Sequence, residues 1–149
     1  MDKKTVENEF NEGLKLLDSK EFISAIECFK SAYNFEPNNP KYMSYYGLCI
    51  AYTEGNPQVA IELCNRAIKS ESLCSNYYYN LGKVYVQSKN RKKSVAALKK
   101  ALELDKNNSE IVRLLTRVGM RTKSALPFLS RDNPVNIYFG KLKSFLSEL

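Results

Sequence analysis

The stretch Ser75–Asn108, SNYYYNLGKVYVQSKNRKKSVAALKKALELDKNN, decides the fold because the chain repeats its pattern twice more. Val6–Asn39 and Pro40–Cys74 fall into register with it at a period near 34 residues. Gly13, Gly47 and Gly82 coincide, as do Ala25, Ala60 and Ser94, then Phe29, Cys64 and Leu98, then Ala32, Ala67 and Ala101. The middle copy is one residue longer, and the extra residue falls in its Thr53–Gln58 turn.

Each copy carries two helical patterns. In the first, apolar residues recur at Phe10, Gly13, Leu14, Leu16 and Leu17, then at Phe22, Ala25, Ile26, Phe29, Ala32 and Tyr33. A small residue at a fixed place in each helix lets two helix axes approach closely, where a larger side chain would force them apart. Starts are marked by Asn39-Pro40, Asn56-Pro57 and Asn133-Pro134, a capping amide before a proline at the first helical position. Asn90 and Asn108 are further expected caps. Turns this short make consecutive helices antiparallel neighbours.

The order Leu-Gly, Tyr, Ala, apolar, Ala, Pro resembles the tetratricopeptide-repeat (TPR) family. It is seen in Leu81-Gly82, Tyr85, Leu98 and Ala101, and in Gly13, Ala25, Phe29, Ala32 and Pro37. The chain departs from that pattern at Ser94, at Ser72 and Lys106 in place of the closing proline, and at Glu9, Met43 and Tyr78, where tryptophan is usual. The expected fold is an all-α, right-handed solenoid of three helix-turn-helix repeats, a capping helix and a further amphipathic helix. Residues 1–124 form the repeat domain, with repeats at 6–39, 40–74 and 75–108 and the capping helix at 109–122; residues 125–149 form a linker and the last helix. The apolar face of that helix, Val135, Tyr138, Phe139, Leu142, Phe145, Leu146 and Leu149, is expected to dock on the solenoid, on a second copy as a homodimer, or on a partner. Pro127–Pro134 looks like a tail found in some bacterial TPR proteins, which suggests a bacterial source.

The resemblance implies that the first helix of each repeat lines a concave groove. Helix faces then give Phe10, Asn11, Leu14, Leu17, Tyr45, Leu48, Tyr52, Tyr79, Asn80, Lys83 and Gln87 as the candidate peptide-binding groove. Tyrosine combines large contact area, a polar tip and few rotors, which suits such a surface. Tyr42, Tyr46, Tyr77 and Tyr85 are expected between helices instead. Co-chaperone TPRs hold a terminal carboxylate with lysine, arginine and asparagine; here Phe10, Leu14, Tyr45, Asn76 and Asn80 stand at those positions, so that clamp is absent. An apolar-aromatic groove with amides and one lysine fits a peptide with hydrophobic side chains. The function this implies is that of a protein-interaction adaptor.

Charge supports a second reading. Residues 1–82 carry 8 basic and 11 acidic groups, whereas residues 83–123 carry 12 and 3. Lys89, Arg91, Lys92, Lys93, Arg113, Arg117 and Arg121 form a candidate basic patch for nucleic acid or another polyanion. No aromatic residue is interleaved with it, which leaves base stacking without support and makes nucleic acid the weaker reading.

Catalysis is not expected: the chain has no histidine, no phosphate loop and no nucleophile elbow. Cys28, Cys49, Cys64 and Cys74 have no C-x-x-C spacing, which argues against zinc or any other metal and leaves disulfides open. Cofactors are not expected either. The polar N-terminus and the absence of a long apolar run suggest a protein that is neither secreted nor membrane-spanning, placed in a reducing cytoplasm.

Overall fold

A computed structural model of the protein describes residues 2–53 and 55–119. The expected helix at 134–149, the linker before it, Arg121 and the boundary at 124 therefore lie outside the described residues. Seven helices follow one another in the described part: α1 (Lys3–Asp18), α2 (Phe22–Phe35), α3 (Pro40–Thr53), α4 (Pro57–Ser70), α5 (Ser75–Gln87), α6 (Arg91–Leu104) and α7 (Ser109–Gly119). They belong to one compact unit, Met1–Gly119. Three antiparallel pairs, α1–α2, α3–α4 and α5–α6, stack so that α3 packs on both α2 and α5, and α7 packs on α6. This is the all-α repeat solenoid that the register of the three copies predicts.

The matched glycines lie at the helix crossings. A Cβ on Gly47 would come 2.9 Å from the Ala60 carbonyl oxygen, and one on Gly82 would come 2.6 Å from a Leu98 methyl. Ser94, which departs from the repeat pattern, has a physical reason: its buried hydroxyl donates to the Gly82 carbonyl across the α5–α6 crossing at 2.9 Å.

Turns within the repeats share one geometry. The Glu21 amide donates to the Leu16 carbonyl at 2.8 Å, and the Asn90 amide donates to the Tyr85 carbonyl at 2.9 Å. Both closures put a lysine in the left-handed region, Lys20 at φ 64° and Lys89 at φ 56°, where glycine is at ease and a residue with a Cβ is strained. The middle repeat uses Gly55 there, at φ 63°. Its additional residue is accommodated by α3, which runs one residue further past its glycine than α1 and α5 do.

Joints between repeats also repeat. The Asn39 side-chain amide donates to Glu36 at 2.8 Å while its carbonyl oxygen accepts from the Lys41 amide at 3.1 Å. Asn108 does the same with Asp105 at 3.0 Å and with the Glu110 and Ile111 amides at 3.2 Å. At the α4–α5 joint Cys74 caps α5 with no side-chain bond.

Candidate functional site

The inner helices α1, α3 and α5 differ along the stack. Toward the first repeat, side chains fill the space between them. Phe10 is fully buried, and its ring lies 5.2 Å from Phe29, 5.2 Å from Tyr42 and 5.3 Å from Tyr45. Tyr45 also meets Phe29 at 5.5 Å and Leu14 packs on the same core. Asn80 is buried too, donating to the Ser44 hydroxyl at 3.1 Å. Two expected groove residues, Phe10 and Asn80, are therefore core groups: apolar area and a matched polar partner draw them inward. Asn11 is exposed and lies outside the cavity described next.

Toward the third repeat the space stays open. A cavity of about 500 Å³ is bordered by Leu17 and Asp18 of α1, Leu48 and Tyr52 of α3, Tyr79, Lys83, Val86 and Gln87 of α5, and Glu110, Arg113, Leu114 and Arg117 of α7, with Lys20 and Phe22 at the edge. Six of the eleven expected groove residues meet here: Leu17, Leu48, Tyr52, Tyr79, Lys83 and Gln87. Leu48 forms a buried floor. The Phe22 ring stacks on Tyr52 at 4.2 Å, so an outer helix of one repeat props up an inner residue of the next.

Lys83 is the electrostatic centre. Its ammonium lies over the Tyr79 ring, 4.3 Å from the centroid. Burial pulls its pKa down to about 8, against the opposing pull of Glu110, the Cys49 thiol, Asp18 and the Cys64 thiol. Burial also raises the Tyr79 phenol, with Glu110 adding to the shift and Arg117 and Arg113 opposing it. The Cys49 and Cys64 thiols behind the wall are pushed up to about 12 by burial and are poor nucleophiles. All four cysteines are free, which resolves the disulfide question.

The expected basic patch divides in two. Arg113 and Arg117 belong to the cavity. Lys89, Arg91, Lys92 and Lys93 do not border it, and Arg91 has a structural task. Its guanidinium donates to the Val118 carbonyl at 2.6 Å and the Gly119 carbonyl at 2.8 Å, closing the C-terminus of α7. Lys93 lies 5.7 Å from the centroid of the Tyr85 ring. Asp18, Lys20, Phe22, Val86, Glu110 and Leu114 enter the site without having been expected there. Glu110, Arg113, Leu114 and Arg117 share one face of α7 at i, i+3, i+4 and i+7, a signal already present in the sequence.

Stacked two-helix repeats around an inner cavity define a helical-repeat protein. Residues 75–108 match the family model of the tetratricopeptide repeat. The chain thus carries a tetratricopeptide repeat at 75–108, and its other two helix pairs stack in the same manner. It is 27% identical over 99 residues to the rat mitochondrial import receptor subunit TOM70, covering 66% of this chain and 16% of that protein. It thus spans about a sixth of the length of that relative. Among solved structures, the first TPR of Spaghetti (RPAP3) bound to an HSP90 peptide superposes with a TM-score of 0.62 at 19% identity, covering 80% of this chain and 94% of that one. An O-GlcNAc transferase of Thermobaculum terrenum superposes with a TM-score of 0.67 at 23% identity, covering 77% of this chain and 22% of that one. These likenesses show the fold. They give no support to the bacterial source suggested by residues 127–134, which lie outside the described residues. Among the described residues no helix is long and apolar enough to cross a membrane.

Proposed function

We propose that this chain is a protein-interaction adaptor that receives a peptide or protein segment in the cavity between α1, α3, α5 and α7, and that it acts by binding and not by catalysis. The observation that carries the reading is the cavity itself. It holds aromatic faces at Tyr52 and Tyr79, an apolar floor at Leu48 and Leu114, and several side-chain donors around the rim. Such a mixture anchors a side chain and orients a backbone. The solved Spaghetti (RPAP3) repeat, which binds an HSP90 peptide, supports peptide capture as the use of this architecture. The proposed compartment is the cytoplasm, supported by four free thiols.

Site-directed photo-crosslinking tests the reading. A benzophenone amino acid replaces Gln87 at the exposed rim, or Glu27 on the exposed side of α2 as a control. The reading expects a defined crosslinked partner from position 87 alone. Equal capture from both positions, or capture from position 27 alone, would place the interaction elsewhere.

A further inference from the structure

The cavity border carries more cations than anions. These are Lys20, Lys83, Arg113 and Arg117 against Asp18 and Glu110, an excess of cations in a partly enclosed space. Arg113 and Arg117 stand one turn apart on α7 and border the same cavity as Tyr79, whose ring carries Lys83. Among the described residues neither arginine is in an ion pair with a carboxylate; the two pairs formed there, Lys15–Glu12 and Lys100–Glu103, are exposed. Lys83 keeps its ammonium where burial disfavours it, which an arriving carboxylate would reverse.

We infer that the cavity recognises a peptide segment bearing an acidic side chain next to an apolar one. The carboxylate is received between Lys83, Arg113 and Arg117, and the apolar group lies on Leu48 and Tyr79. This rests on the adaptor reading and adds the chemistry of the ligand. The cations come from the third turn of α5 and from α7, not from the positions at which co-chaperone TPRs hold a terminal carboxylate, here Phe10, Leu14, Tyr45, Asn76 and Asn80. An internal side-chain carboxylate is therefore the group committed to. Guanidinium pairs suit it because they donate in parallel to both oxygens.

The test selects phage-displayed random dodecapeptides on the full chain and, in parallel, on Tyr79→Ala and on the double variant Arg113→Gln/Arg117→Gln. Both arginines are exposed, and circular dichroism checks that the variants keep their helices. Selected peptides should be rich in Asp or Glu beside Leu, Phe or Tyr. A synthetic copy of the best peptide should bind the double variant at least about tenfold more weakly. It should also weaken as salt rises and bind equally well with a free or an amidated C-terminus. Neutral or basic peptides that depend on Tyr79 would overturn the acidic preference and leave the adaptor reading standing. A need for a free C-terminus would overturn the side-chain assignment. Selection that is the same on all three proteins would overturn both readings.

Discussion

The inner side of the solenoid uses aromatic residues in two opposite ways. Around the first repeat, Phe10, Phe29, Tyr42 and Tyr45 close on one another, with centroids between 5.2 and 5.5 Å. Around the third, Tyr52 and Tyr79 border an open cavity, and charged groups from α7 complete its wall. Phe10 and Tyr79 hold the same position in their repeats, yet one is buried core and the other borders a cavity. What separates them is the next element in the stack: α2 and α3 press on Phe10, whereas α7 meets the third repeat with a charged face.

The contrast can be broken most sharply at Phe10. Phe10→Ala should cost about 3–5 kcal/mol in urea unfolding, because a fully buried ring leaves a cavity behind. A small loss would mean that the closed end is not core.

At the open end, Lys83→Met should stabilise the fold at neutral pH by about 1–2 kcal/mol, less than its full pKa shift implies because the side chain borders an open cavity and keeps some exposure. The sign follows from the folded pKa of about 8 lying below the ordinary 10.5. The unfolded chain holds this proton more tightly, so the penalty is complete below pH 8 and fades as pH climbs toward 10.5. The difference between the two proteins should shrink over that window, and a constant difference would assign the gain to packing. Affinity for an acidic peptide should fall as pH rises through 8, a dependence that Lys83→Met removes; the Asp18, Glu110, Tyr79, Cys49 and Cys64 groups around it persist in both proteins.

Tyr79→Ala sharpens the comparison from the binding side. It should leave helicity and stability within about 1 kcal/mol while weakening peptide capture by about tenfold. Collapse of the fold would make Tyr79 a counterpart of Phe10.

The smallest effect is expected at a turn away from both ends. Lys89→Gly should gain about 0.5–1 kcal/mol, since glycine relieves the left-handed strain at φ 56°. A loss in thermal unfolding would show that the Lys89 side chain has contacts of its own worth more than the strain.

Repeat register, paired helices and most caps were legible because they depend on local spacing. Gly47 and Gly82 could be recognised as crossing points from their coincidence alone, and the contacts at 2.9 and 2.6 Å bear that out. The site was legible only in part. A helix-face argument places Phe10 and Tyr79 alike on the inner side, and nothing local says that Phe10 is closed over by Tyr42 and Tyr45. The roles of Arg91 and Arg113 were inseparable in sequence, since both belong to one basic block. Only the packing of α7 on α6 turns Arg91 to the end of α7 and brings Arg113 into the cavity.

The joint at Asn108 has a consequence for how such a chain grows. Its amide makes the same two-way bonds to Asp105 and to the start of α7 that Asn39 makes to Glu36 and the start of α3. By that hydrogen-bonding grammar α7 occupies the opening slot of a fourth unit. A duplicated copy of Ser75–Asn108 spliced in after Asn108 would meet a matching seam on both sides. The described stack would lengthen by one module, with α7 and its charged face following the inserted copy, so gene duplication at this point would change the reach of the solenoid.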